Sequence, residues 1–203
     1  IDGSLRRVLM LGYFDELSRD FSEEDNPDET VLTINLKERK TGAATFGVAY
    51  SSAEKLVGFV EVSDENFLGR GQKIKLNASL GKSRNAFEFG FFEPYITKSG
   101  ISLGTNLYRK VEPVERENDA EEITTMKKTT IGGDLTLGRP FTEFTVGRLT
   151  LKMENSSYAH VDGPEDNLYK DSRHRSIGVG MNTNTVDHPF FPTEGDKSDG
   201  YLE

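Results

Sequence analysis

Few residues in this 203-residue chain have the types and spacing for covalent chemistry. The absence of Cys removes thiolate nucleophiles, disulfides and sulfur-ligated metals, and three scattered histidines, His160, His174 and His188, make a poor zinc set. Asp187-His188 together with Ser198 has the side chains of a hydrolase triad. Adjacent Asp and His do not orient each other, however, and no nucleophile elbow surrounds the serine. Gly69-Arg70-Gly71 would suit a phosphate loop only if a helix followed to present its first amides, and none does, so it reads as a turn. Glu112 to Glu122 lacks the ligand spacing of a calcium loop and reads as a solvated surface loop. Asn77-Ala78-Ser79 matches a glycosylation sequon by chance, inside a strand. The expectation is a non-enzyme with no catalytic residue, cofactor or metal.

Composition narrows the class. Leu, Ile, Val and Phe total 51 of 203 residues, enough to fold rather than stay disordered. The net charge of −9 is concentrated in residues 15–29 (eight acids, one base) and 112–122 (six acids, one base). An acidic total argues against nucleic acid as a partner. The longest run of apolar residues plus Gly, Val8 to Phe14, is seven long, against about twenty for a spanning helix. With no signal segment at Ile1, the chain is read as an internal piece of a longer protein.

Residues 4–14 space Leu5, Val8 and Leu9 as an amphipathic helix, with Ser4 as N-cap and Gly12 as stop. A hairpin follows: Phe14 to Phe21, an acidic turn around Asn26-Pro27-Asp28, and the half-buried alternation of Val31 to Leu36. A partner segment before Ile1 is expected to complete this small unit. From Lys40 onward period 2 dominates. One face carries Phe46, Val48, Tyr50; Leu56, Val60, Val62; Ile74, Leu76; Phe87, Phe89, Phe91; Leu103, Leu107; and Ile131, Leu135, Leu137. It continues with Phe144 and Val146, a register slip to Leu149, Leu151 and Met153, and then Ile177, Val179 and Met181. The opposite face is polar and Gly-rich. Arg139, Arg148 and Lys73, if on it, would join a charged interior network. This predicts eight antiparallel strands, mostly of eight to eleven residues.

Alternate links fall at opposite ends of such a sheet. Those after the first, third, fifth and seventh strands are polar, and two of them, about 111–127 and 156–173, read as long charged loops. The other four contain an aromatic with Gly or Pro, placing Phe67, Tyr95, Phe141, Phe190 and Phe191 at one end as interface aromatics. An aromatic girdle with tight turns at one end and long loops at the other is the anatomy of an outer-membrane barrel. A soluble β-sandwich also alternates, with its apolar face in a core, and stands as the alternative.

The sequence further resembles the BamA-like outer-membrane assembly-factor family, which joins POTRA domains to a surface-antigen barrel. The resemblance rests on Leu11-Gly12-Tyr13-Phe14-Asp15, on Val31 to Leu36 running into Lys37-Glu38-Arg39-Lys40-Thr41-Gly42, on Asn66-Phe67-Leu68-Gly69-Arg70-Gly71-Gln72, and on Asp187 to Gly195. Asp196 to Glu203 departs from the family pattern.

The resemblance implies that residues 1–40 end the last POTRA domain, in the periplasm, and that 41–203 are the N-terminal half of a sixteen-stranded transmembrane barrel. It also implies a bacterial outer-membrane location. The first barrel strand, Ala43, Ala44, Thr45, Phe46, Gly47, Val48, Ala49 and Tyr50, would form a lateral seam that templates client strands, because an open edge invites strand addition. The POTRA edge Val31, Leu32, Thr33, Ile34, Asn35 and Leu36 would bind similarly. Implied partners are unfolded outer-membrane protein clients, accessory assembly lipoproteins and membrane lipid. A polypeptide-secreting pore of the same family is the alternative activity.

Overall fold

Alternation of apolar and polar residues leaves the chain little choice but extended structure, and strands dominate the computed structural model, which describes residues 5, 8, 11–23, 30–51, 55–117, 122–164, 169–186 and 193–203. At the start, Leu5 and Val8 are helical and Leu11 N–H donates to the Val8 carbonyl at 3.2 Å. Gly12 follows with φ +74°, the left-handed conformation that ends helices at glycine. The rest of the expected helix lies outside the described residues.

Two units follow from the chain's contacts: residues 1–41 with 186–195, and residues 42–185 with 196–203. The first contains the expected hairpin, β1 (Phe14–Glu23) paired antiparallel with β2 (Thr30–Glu38). Leu17 faces Leu36 and Phe21 faces Leu32 across it, while Lys37 Nζ meets Glu16 at 2.8 Å. The half-buried pattern expected of Val31 to Leu36 is not seen; every residue of β2 is exposed. Among the described residues β1 and β2 form a two-stranded sheet of their own.

The second unit is one antiparallel sheet in sequence order: β3 (Gly42–Ser51), β4 (Lys55–Phe67), β5 (Gln72–Gly81), β6 (Asn85–Glu93), β7 (Ser102–Glu117), β8 (Ile123–Pro140), β9 (Thr145–Asp162), β10 (Ser172–Asn184) and β11 (Lys197–Leu202). A continuous row of paired residues crosses eight of them: Phe46, Val60, Ala78, Phe87, Arg109, Ile131, Asn155 and Arg173. The apolar band does not follow this row. It is centred near Gly47 on β3, whose row reaches Ser172 on β10, yet on β10 it is centred at Val179. The band therefore slips about one residue per strand. At ~3.3 Å rise and ~4.8 Å strand spacing, that is a tilt of about 35°, within the range of membrane barrels.

Several expectations are corrected. The sheet has nine strands, not eight, because Lys197–Leu202 pairs with β10 from Leu202 opposite Val179 to Lys197 opposite Asn184. The strands β7, β8 and β9 run 16, 18 and 18 residues, so most of the supposed loop at 111–127 and half of that at 156–173 are strand. Glu112, read as the start of a surface loop, sits opposite Lys128. The slip proposed in β9 does not occur. Pairing with β8 is unbroken from Val146 opposite Pro140 to Leu149 opposite Leu137, which puts Val146 on the polar face. Arg139 pairs with Gly147 and shares a face with Leu137, not with the polar network.

The turns explain the aromatic-Gly links. In Asn66 to Gly71, Leu68, Gly69 and Gly71 all have φ between 57° and 71°. Asn66 closes the turn with its carbonyl on Gly69 N–H at 2.8 Å and its Oδ1 on Gly71 N–H at 2.7 Å. Only Gly adopts such angles without strain, so the two glycines are structural.

Glycines inside the sheet serve aromatic neighbours instead. A Cβ at Gly132 would sit 2.7 Å from the Tyr108 hydroxyl and 2.9 Å from the Met153 carbonyl oxygen. Backbone cannot yield as a flexible side chain can. Gly132→Val is expected to destabilise the sheet by about 1–3 kcal/mol, the usual cost of overpacking, measured as a lower unfolding midpoint of the complete gene product in detergent. An unchanged midpoint would contradict the packing described.

Candidate functional site: an inverted sheet with an open first edge

Along β8, β9 and β10 the odd positions carry the apolar side chains and are the more exposed. Leu149, Leu151 and Met153 are 41, 41 and 61% exposed, and Ile177, Val179 and Met181 are 66, 53 and 55%. Their polar neighbours are more enclosed: Thr130 and Ser156 face each other at 7 and 6% exposure, their hydroxyls 3.2 Å apart. This reverses the polarity of a water-soluble sheet. Among the described residues the only buried apolar side chains are Val111 and Met126. A soluble β-sandwich buries its apolar face in a core, and here that face is the exposed one, so that alternative falls.

The polar face is knitted between neighbouring strands and, at Arg148–Asp199 and Tyr108–Glu154, over an intervening strand. Ion pairs join Lys73 to Glu65 at 2.5 Å, Lys75 to Glu61 at 3.1 Å, Lys110 to Glu88 at 2.7 Å and Arg148 to Asp199 at 2.6 Å. The Tyr108 hydroxyl donates to Glu154 at 2.7 Å, and the Asn106 amide to Asp134 at 3.0 Å. Tyr108, Lys128, Lys152, Glu154, Tyr201 and Glu203 help to line a polar hollow of about 570 Å³ on this face. Lys73 and Arg148 thus join the interior network, as their positions suggested.

Ala43 to Tyr50 lie in β3, which pairs with β4 along one side and, among the described residues, with no strand along the other. Its outward side chains are among the barest in the sheet: Phe46, Val48 and Tyr50 are 83, 69 and 73% exposed. On the opposite face the Phe59 ring of β4 lies over Gly47, close enough that a Cβ there would come within 2.5 Å of it. Sequence reading missed this clasp, although Phe59 is conspicuous as an aromatic at a polar-face position. Phe67, Tyr95 and Phe141 sit at the turn end of the sheet, the latter two 68 and 66% exposed. Phe190 and Phe191, like Asp187 and His188, lie outside the described residues. Val31 to Leu36 form β2, paired only with β1 among the described residues.

A model of the Omp85 superfamily domain matches residues 66–203. The chain belongs to the Omp85 superfamily. Its Omp85 relatives include the outer membrane protein assembly factor BamA of Neisseria meningitidis serogroup B, 29% identical over 214 residues, covering 95% of this chain and 26% of that protein. BamA of Nitratidesulfovibrio vulgaris is 24% identical over 196 residues, covering 95% of this chain and 24% of that protein. The crystal structure of Haemophilus ducreyi BamA lacking POTRA domains 1–3 superposes with a TM-score of 0.63 at 25% identity, over 98% of this chain and 41% of that one. The chain is therefore BamA-like in sequence and fold, and spans between 24 and 26% of these curated relatives.

An Omp85 sheet with its apolar face in lipid makes an asymmetric prediction. Leu151→Arg, at mid-belt, should cost about 2–4 kcal/mol of stability in a bilayer, whereas Thr150→Arg, one residue away and facing the polar side, should cost under about 1 kcal/mol. Urea unfolding of the complete gene product in lipid vesicles reads both. Equal costs would contradict the assignment of faces.

Proposed function

We propose that this chain is part of an outer-membrane β-barrel assembly factor of the bacterial outer membrane, and that β3 is the strand on which client strands are templated. The observation that carries the reading is the combination found at β3: a strand paired on one side only among the described residues, on a sheet whose apolar face is exposed. In hydrocarbon each unpaired N–H or C=O costs several kcal/mol. A client strand that pairs with β3 as it enters satisfies its own groups and those of the edge together. Such a reaction breaks no covalent bond and uses no cofactor, metal or nucleotide. The side chains of β3 at Gly42, Ala43, Ala44 and Ala49 are small and these residues are exposed, which leaves little bulk beside its outer edge.

In this proposal residues 1–40 are the C-terminal part of a POTRA domain in the periplasm, and 41–203 belong to the N-terminal half of the barrel. The hairpin edge Val31 to Leu36 supplies a second augmentation surface, for unfolded outer-membrane protein clients or accessory lipoproteins. Phe67, Tyr95 and Phe141, with Phe190 and Phe191, form the aromatic belt at the periplasmic interface with lipid. The names and fold of the relatives support this reading.

Neighbouring residues of a strand direct their N–H groups to opposite sides. Proline placed singly from Ala43 to Ala49 should therefore fall into two alternating classes. One class removes donors from the β3–β4 ladder and lowers barrel stability. The other removes donors from the free edge alone, keeps stability, and lowers client insertion by about tenfold or more, taking each lost backbone bond at ~0.5–1.5 kcal/mol and the edge as used cooperatively. Reconstituted client-folding assays on the complete gene product separate the two. Full insertion by every stable variant would overturn the seam proposal.

A further inference from the structure

On the polar face Lys73, Lys75, Lys110 and Arg148 each have a carboxylate partner, while Lys128 and Lys152 line the polar hollow. On the apolar face Arg109, Arg173 and Arg175, like Arg139 at the turn end, have no carboxylate partner among the described residues, and all are exposed. Arg109 and Arg173 share one ladder row, and Arg175 lies two rows nearer the belt, opposite Met153. The side chains of Arg109 and Arg173 make no ion pair among the described residues. Arg175 is held by neutral acceptors alone: Nη1 donates to the carbonyls of Glu154 at 2.9 Å and His174 at 2.6 Å, and Nη2 to Asn155 Oδ1 at 3.0 Å. Of five guanidinium donors, two remain open. The nearby Asp171 carboxylate is engaged with the Tyr158 N–H at 3.1 Å.

Position gives these cations meaning. With ~3.3 Å per residue and the ~35° tilt, Arg109, Arg175 and Arg173 lie roughly 8, 11 and 16 Å from the centre line of the belt, whose half-height is about 12 Å. All lie toward the end away from the Phe67, Tyr95 and Phe141 turns. Below Arg109 the belt is indented. Val60, Leu76, Phe87, Phe89 and Leu107 line a hollow of about 650 Å³ with Arg109 itself. An apolar groove beneath an unpaired guanidinium matches a lipid: acyl chain in the groove, anionic headgroup on the arginine.

We propose that the outer rim of β7 to β10 is a binding site for a phosphorylated lipid of the leaflet opposite the aromatic turns, with Arg109, Arg173 and Arg175 on its phosphates. Arg109 and Arg173 are about 14 Å apart across three strand spacings, a span suited to a headgroup with two phosphates. The site rests on the membrane reading above.

The test uses the complete gene product in nanodiscs of phosphatidylcholine doped with a bis-phosphorylated glucosamine lipid, with retained lipid counted by native mass spectrometry. The doped lipid should be enriched. Arg109→Gln, Arg173→Gln and Arg175→Gln should each weaken its retention about fivefold, and the triple variant on the order of a hundredfold. Lys73→Gln with Lys75→Gln, on the polar face, should leave retention unchanged. Insertion into nanodiscs without enrichment, or equal enrichment in the triple variant, would overturn the site alone. Failure to enter nanodiscs would overturn the membrane reading itself. Inorganic phosphate binding with the same arginine dependence but no lipid enrichment would reject the lipid as the source of the phosphate.

Discussion

The structure depends on one constraint: hydrocarbon cannot hydrogen-bond to a polypeptide. A backbone in lipid must satisfy its own N–H and C=O groups, and a sheet does so everywhere except at its edges. From β3 to β11 each strand is paired with its chain neighbour, so the unpaired ladder sides among the described residues are the outer sides of β3 and β11, the part of β10 before Val179, and the ends of β7 and β9 that outrun β6 and β10. The inverted polarity follows from the same solvent. Leu, Ile, Val, Met and Phe face outward because lipid accepts them, and carboxylates, amides and hydroxyls turn to the enclosed side, where they meet one another.

The polar face then has a fold-specifying role. Pairs such as Lys110–Glu88 and Lys75–Glu61 are about half exposed, so each adds little stability in water. Their value lies in register. A one-residue slip of any strand would carry these charges into the lipid and bring Phe or Leu inward, so the alternation and the ion pairs specify the same ladder. Tyr108 and Phe59 add shape to charge, each ring occupying the space left by the glycine opposite it. At β3 this clasp holds from one side a strand that has no partner on its other side among the described residues.

Much of this was legible in the sequence, and the failures have physical causes. Period 2 located β3 to β10 because each has a lipid-facing and a polar-facing side in the bilayer. The links were legible because tight turns demand Gly at positive φ, as at Gly69 and Gly71. The extensions of β7, β8 and β9 were missed because beyond the belt both faces meet water and the alternation fades; Glu112 opposite Lys128 reads as loop until its partner is known. The strand β11 was invisible for a related reason: of its three outward positions, Ser198, Gly200 and Leu202, only the last is apolar. Val146 misled because a lone valine beside a turn looks like the start of an apolar face. The arginines of the outer rim carried no signal in composition, since only the register brings Arg109 and Arg173 into one row.

The most direct test of the account is depth-resolved lipid contact. Single nitroxide or fluorescent labels at Phe89 and Asn77, on opposite faces of the β5–β6 hairpin, are exposed to a lipid-borne quencher in bilayers containing the complete gene product. The account requires quenching at Phe89 and none at Asn77. Quenching at neither site, or equally at both, would contradict a sheet whose apolar face is turned to lipid.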